Sequence, residues 1–535
     1  MIKLNNTLLF FMITLVIGCS GQTFTSHSEQ SLYTEIEQLK QQTSVLGEAD
    51  DFKGSPYPDI AKNGLFETHK TGSNFIAILP NGDDSFAARI QALKNADTSI
   101  RIQALVFTGD EAGLYISEIL KQKKRQGLDV RVIVDAFSNP KFQTQNMLFD
   151  LKQNGIEVEG YEAMLMQWVN EVPLPFLMPH TEPGRLDKRF HEKMWLIDAE
   201  TDHAIAIVGG LNIANEYFRV EPEKPDFFWR DQDVIVKDKV INNSNNSDSN
   251  SVIKDMVTAF DRNFNYFVSI KESRGIFNTN LYWDMTRRVL STTGKIEFSF
   301  KTNPELDKRV RKMAEKNLQL DYHTGNVRFF QNRPRYKETY ISQTYLKLIL
   351  GAQDSIMIAN AYFIPSKKII AALKDAARHC VNITLITNSA ETNDLPEITM
   401  VGRESYKDLL QVNDEVAVKN CQGEKGIRIF EWQGKRSGTE KRTEGTMHSK
   451  YAIFDAKLSL VGSHNLDPRS TYLNSESILV FENKNLAETL TQLFELNDLV
   501  FSKQITKEQA KEFFAPENTL YNLEKGLGDW FKNEL

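Results

Sequence analysis

Apolar positions at Phe86, Ile90 and Leu93 recur at the spacing of one helix face and lead into the apolar run "SIRIQALVF", a strand beginning at Ser99. A second helical stretch, "GLYISEILKQKKRQG", is followed by the strand "VRVIVDAF". Helices alternating with uninterrupted apolar strands are the grammar of a sheet covered by helices, so the expected fold class is α/β. The same grammar returns in "DSIMIANAYFIPSKKIIAALKDAARHCVNITLITNS", whose strand starts at Ser355, 256 residues after Ser99. The chain therefore reads as two copies of one α/β unit.

Other segments break this pattern. A ten-residue apolar run, Leu8 to Ile17, follows Lys3 at the start of the chain. It is shorter than the roughly 20 residues needed to cross a bilayer and reads as a signal segment. Its ending, "VIGC", resembles the lipobox of bacterial lipoproteins, which implies cleavage after residue 18 and lipidation of Cys19. The expected organisation is a signal peptide over 1–18, a polar tether over 19–72, a first unit over 73–300 and a second over 301–535. The Asn/Ser-rich stretch at 241–251 reads as a flexible surface insertion. Residues 305–320, mixed in charge with spaced apolar positions, suit a solvated helix near the junction, with a basic lipid-facing surface as the other reading.

With 535 residues, 41% hydrophobic and 25% charged, the chain is long enough for two large cores. Its net charge of -7 argues against nucleic acid as the partner. Beyond Cys19 there are two cysteines, Cys380 and Cys421, too few for a disulfide framework and lacking a CxxC metal pattern; whether they pair is left open by the sequence.

The chemistry is concentrated in two motifs. "HEKMWLID" places His191, Lys193 and Asp198 at HxKxxxxD spacing, and "HSKYAIFD" repeats it with His448, Lys450 and Asp455. The two histidines lie 257 residues apart, in step with the duplicated strands. On a strand, positions i and i+2 share a face, so each His and Lys should project together. Downstream, "VGGLN" ends at Asn212 and "VGSHN" at Asn465. An imidazole, an ammonium and an amide from each unit suit an anionic phosphate. One histidine can attack phosphorus while the other protonates the leaving alcohol and then deprotonates the incoming one. Lysines and asparagines would hold the non-bridging oxygens, so no metal or other cofactor is required. Asp231 and Glu476 are the expected carboxylate partners of the histidines, whereas Asp198 and Asp455 are expected to bond backbone or lysine and shape the turn.

These residues resemble the duplicated signature of the phospholipase D superfamily from about residue 74 to about residue 500. "VGGLNIANEYF", "FWRDQDV" and "GSHNLDPRSTYLNSE" are especially similar to its bacterial cardiolipin synthase branch, notably the lipoprotein-like, phosphatidylethanolamine-using type. The resemblance implies two α/β sandwich halves related by a pseudo-twofold, with the active site at their interface. It implies His191 as nucleophile and His448 as general acid and base, a choice the residues themselves leave interchangeable. Two departures stand out. Asp198 and Gly209 are separated by ten residues against six in the second unit, and Gly210 stands where that unit has Ser463.

The expected activity is phosphatidyl transfer among membrane phospholipids, with phosphatidylglycerol as acceptor and possible use of phosphatidylethanolamine. A phospholipase D hydrolase, a nuclease of the same chemistry and a catalytically inert tethered scaffold are the alternatives. The expected setting is the bacterial cell envelope, with the protein anchored to a membrane and facing the periplasm.

Overall fold

The computed structural model describes residues 69, 72, 74–161, 188–221, 223–238, 251–274, 294–333, 338–419, 421 and 425–513. The expected signal segment, the lipobox, nearly all of the tether and nearly all of the Asn/Ser-rich stretch lie outside the described residues.

The first unit contributes strands β1 (Asn74–Leu79), β2 (Ser99–Ala104), β3 (Asp129–Asp135), β4 (Glu157–Tyr161), β5 (Arg189–Phe190), β6 (Met194–Ile197), β7 (Ile205–Gly209) and β8 (Asp233–Asp238). The second contributes β9 (Asn326–Asn332), β10 (Ser355–Asn360), β11 (Asn382–Asn388), β12 (Gly426–Trp432), β13 (Lys450–Phe454), β14 (Leu458–Gly462), β15 (Asn474–Glu482) and β16 (Ser502–Ile505). One sheet runs β1-β8-β7-β6-β2-β3-β4. The other repeats that order as β9-β15-β14-β13-β10-β11-β12 and adds β16 at its edge. In each, the three strands joined through helices are parallel and the remaining neighbours antiparallel, apart from the short parallel pairing of the first unit's β5 with β15 in the second sheet. The expected α/β duplication is the architecture observed.

Strand alternation sorts the core into layers. On β6, Trp195 and Ile197 join the cluster under helices Gly82–Asn95, Glu111–Arg125 and Phe142–Gln153, while Met194 and Leu196 face the other way. On β13, Ala452 and Phe454 pack beneath the second unit's helices, while Tyr451 and Ile453 join Met194 and Leu196. That shared cluster draws Val208 and Val234 from one sheet and Leu479 and Phe481 from the other, so the two sheets are welded by a common apolar layer. The welding brings the two motif-bearing strand starts to one place.

Helix Pro304–Met313 is capped by the Asn303 side chain, which accepts from the Glu305 amide. It buries Val310 and Met313 in the first unit's core and leaves Lys308, Arg311 and Lys312 exposed. The mixed-charge helix expected at the junction is present, packed on the unit that precedes it.

Cys380 and Cys421 form a disulfide across 41 residues, tying the end of helix Lys367–Arg378 to the approach of β12. Closing a loop of that length restricts the unfolded chain by about 4 kcal/mol in the chain-entropy account. That is a large share of the ~5 to 15 kcal/mol typical of a folded protein. Replacing both cysteines by serine is expected to lower the unfolding free energy of the second unit by about 2 to 4 kcal/mol in urea titration. An unchanged midpoint would show that the bond contributes nothing.

Candidate active site

His191 follows β5 and Lys193 immediately precedes β6; His448 and Lys450 occupy the matching places before and at the start of β13. All four side chains are buried. Lys193 Nζ donates to the His191 carbonyl at 2.7 Å, and Lys450 Nζ donates in the same way to that of His448. Each lysine is thus folded back along its own strand toward its histidine. The two imidazole rings face each other across the units with centroids 6.5 Å apart.

Each histidine is held by the other unit. His191 Nδ1 lies 2.9 Å from Glu476 Oε2, and His448 Nδ1 lies 2.8 Å from Asp231 Oδ2. The backbone repeats the exchange. The His191 amide donates to the Ser475 carbonyl at 2.9 Å, and the His448 amide donates to the Arg230 carbonyl at 2.7 Å. β5 pairs with the start of β15, and Arg230 bridges to Met447, so a short stretch of inter-unit ladder precedes every reactive group. With Nδ1 engaged in both rings, Nε2 is the nitrogen left to face a substrate.

The two dyads differ in charge. Burial pushes His191 down to about 4, with Glu476 pulling it up and Lys193 pushing it further down. Burial would raise Glu476, but the rings of His191 and His464 and the charge of Lys193 hold it at about 2. This pair is therefore a neutral imidazole against an ionised carboxylate at neutral pH. Burial pushes Asp231 up to about 8, against the pull of Lys450 and aided by nearby Asp233. His448 is driven well below its ordinary value by burial, then by Lys450, Lys193 and His191. Because coupled groups titrate as a pair, the second dyad retains one proton to about pH 8, shared between carboxyl and ring. Burial also lowers Lys193 to about 7 and Lys450 to about 8, although Glu476 and Asp231 oppose it.

Asn212 is buried, donates through Nδ2 to Tyr217 Oη at 2.9 Å and accepts from the Val106 amide at 3.1 Å. Asn465 is also buried, and its Oδ1 has no hydrogen-bond partner among the described residues. Ser463 does not reach for the cleft: its Oγ donates to Glu476 Oε2 at 2.5 Å and accepts from the Ser477 amide at 3.0 Å, fixing the carboxylate that holds His191.

Asp198 and Asp455, grouped with the site by their motif, stand at the far ends of β6 and β13 from the lysines. Asp198 accepts from the amides of Asp97, Thr98 and Ser99, and Asp455 from those of Gln353, Asp354 and Ser355. Both have positive φ, 49° and 53°, a conformation that aspartate tolerates better than most residues. They fasten the hairpin to the neighbouring strand and are placed for structure, not for contact with phosphate. The extra residues after Asp198 are absorbed in the turn between β6 and β7, whose pairing matches that of β13 and β14.

Several neighbours escaped the sequence reading. Tyr217 lies edge-on to the His448 ring at 5.3 Å, and Trp229 packs 5.0 Å from it. Trp229 was legible as part of "FWRDQDV", but nothing in the spacing marked it as a wall of the site. Glu192, between His191 and Lys193, is buried and accepts from Gln103, Gln331, Asn263 and Ser475. Burial pushes it up to about 7, against those four hydrogen bonds.

Gly210 explains the second departure. A Cβ there would meet Asp231 Oδ2 at 2.3 Å, so the shorter acid occupies the space that the serine hydroxyl fills in the other unit. Gly210→Ser is expected to push Asp231 off His448 and lower kcat about 100-fold, the scale of a 1 Å misplacement. Ser463→Gly, which only loosens Glu476, should cost less. Steady-state assays of both variants check the order, and the reverse ranking would count against it.

Comparison with known proteins parallels the duplication. The family described as "Cardiolipin synthase, PLD-like domain" matches residues 89–235 and 345–497. Probable cardiolipin synthase YwiE of Bacillus subtilis is 25% identical over 454 residues, covering 83% of this chain and 71% of that protein. The cardiolipin synthase of Geobacillus kaustophilus is 24% identical over 400 residues, 75% of this chain and 61% of that protein's length. The crystal structure of phosphatidylserine synthase from Haemophilus influenzae shares the fold, with a TM-score of 0.52 at 16% identity over 86% of this chain and 96% of that one. Each matched segment carries one histidine, lysine, asparagine and carboxylate of the cleft, and together they span more than half the sequence; the chain belongs to the cardiolipin synthase, PLD-like domain family.

Proposed function

We propose that the chain is a phosphatidyltransferase of membrane phospholipids, cardiolipin synthase-like, working through a phosphohistidine and without a metal in the chemistry. The observation that carries the reading is the unequal pair of cross-unit dyads. His191, neutral against an ionised Glu476, is primed as nucleophile; the His448–Asp231 pair retains the proton that a general acid needs.

In the first half-reaction His191 Nε2 attacks phosphorus and the phosphorus–oxygen bond to the head group breaks. His448 gives its proton to the departing oxygen. Glu476 offsets the positive charge that grows on the His191 ring. In the second, His448 takes a proton from the incoming hydroxyl as it attacks phosphorus, and the phosphorus–nitrogen bond breaks. Lys193, Lys450, Asn212 and Asn465 stabilise the non-bridging oxygens throughout. The anionic phosphate favours the protonated form of His448, which draws the dyad's shared proton toward that ring.

Phosphatidylglycerol is the acceptor in this reading, with phosphatidylglycerol or phosphatidylethanolamine as donor; the names of the relatives support lipid substrates. The site of action is the cell envelope, with lipidated Cys19 holding the body beside its substrates. The Cys380–Cys421 disulfide supports this placement, since such bonds persist in oxidising compartments. Among the described residues no helix is long and apolar enough to cross a membrane.

Thin-layer analysis of labelled phosphatidylglycerol vesicles incubated with the protein is expected to show cardiolipin, and no product with His191→Ala or His448→Ala. Phosphatidic acid without cardiolipin would instead establish the hydrolase. The profile of kcat/KM against pH should be bell-shaped, because it reports the free enzyme. Activity rises through about pH 4 as His191 loses its proton and can attack. It falls through about pH 7 to 8 as the lysines lose charge and the second dyad loses its proton. An activity still rising at pH 9 would contradict the assignment.

A further inference from the structure

The two residues that precede the active-site carboxylates do different work. Before Glu476 stands Ser475, whose carbonyl receives the His191 amide and whose hydroxyl donates to Glu192 at 2.6 Å. Before Asp231 stands Arg230, whose carbonyl receives the His448 amide at 2.7 Å. Its amide donates back to the Thr446 carbonyl at 2.8 Å, so both strands of this small bridge run through one residue.

The Arg230 side chain is buried and committed. Nε donates to Asp498 Oδ1 at 2.7 Å, and Nη1 donates to the carbonyls of Pro80 at 3.0 Å and Asp231 at 2.9 Å. Asp498 is fully buried, and its other oxygen accepts from Tyr451 Oη at 2.6 Å. Tyr451 is the residue after Lys450 on β13. Asp498 lies one position beyond the second family-matched segment, in the helical region after Lys484–Leu493. This ion network ties together the backbone beside Asp231, the backbone of His448 and the strand that carries Lys450.

We infer that Asp498, through Arg230 and Tyr451, is the positioning residue of the general-acid dyad. It sets the distance between His448 and Asp231 while leaving the nucleophile side to the separate Ser475–Glu192 network. The inference rests on His448 being the general acid, and it implies a dependence on the leaving group. A phospholipid head group is a poor leaving alcohol and needs a proton in the transition state; p-nitrophenolate needs none. Disturbing the acid dyad should therefore slow one substrate and spare the other.

The test compares, in the first turnover only, release of p-nitrophenol from a phosphatidyl p-nitrophenyl ester with release of the natural head group, using the full chain and its Asp498→Asn and Tyr451→Phe variants, because later turnovers also need His448 as base. Asp498→Asn is expected to slow head-group release at least tenfold and p-nitrophenol release less than twofold. Tyr451→Phe should act in the same direction with a smaller ratio, which keeps the test open if Asp498→Asn folds poorly. Equal losses on both substrates in Tyr451→Phe, or no loss in a folded Asp498→Asn, would overturn the inference. His448→Ala is the control for the underlying assignment. If it slows both substrates equally, the acid role itself fails, whatever the Asp498 variant does.

Discussion

The structure depends on an exchange between its two units: each histidine is bonded, through ring and backbone, to the carboxylate segment of the other. Neither unit holds a complete dyad. The shared apolar layer containing Met194, Tyr451, Val208 and Leu479 therefore supports the site as well as the fold, because it fixes the distance over which the exchange occurs. A sheet in this layer cannot slip by one residue without turning its inward face outward, so the register that packs the core also aims the imidazoles.

Duplication supplied two equivalent half-sites, and small asymmetries now distinguish them. The His191 side uses a long acid, Glu476, steadied by Ser463; the His448 side uses a shorter acid, Asp231, pressed against Gly210 and close to Asp233. One carboxylate stays ionised while the other is driven toward its protonated form. The same geometry thus gives an unprotonated ring on one side of the gap and a proton-bearing pair on the other, which is what the proposed displacement at phosphorus demands. The backing networks differ in kind as well, a neutral amide and hydroxyl shell around Glu192 against an ionic cluster at Arg230 and Asp498.

Much of this was legible in the sequence. The HxK spacing put each lysine beside its histidine, the common offset of about 256 residues exposed the duplication, and Asp231 and Glu476 stood out at the starts of strands. Their crossed pairing was not legible, because period and spacing report contacts within a strand or helix, whereas this exchange is made between segments 217 and 285 residues apart. The motif aspartates were marked by spacing yet serve backbone amides, since a residue leaving a strand in the left-handed conformation is best placed to collect them. Gly210 looked like a loss from the pattern and is a fit to a shorter acid; only the position of Asp231 in space reveals it. Tyr217, Glu192 and Asp498 carry no periodic signal at all, and their roles come from where the folded units meet.

In the proposed mechanism His191 Nε2 attacks phosphorus and His448 serves it from the other unit. This is tested most directly by trapping. His448→Ala, mixed with a phosphatidyl p-nitrophenyl ester, can form the intermediate without a protonated leaving group but lacks the base that activates an acceptor. Peptide mapping by mass spectrometry at neutral pH should then find the phosphatidyl group on His191. Rapid release of p-nitrophenol with the adduct on any other residue, or with no adduct at any time point, would contradict the account.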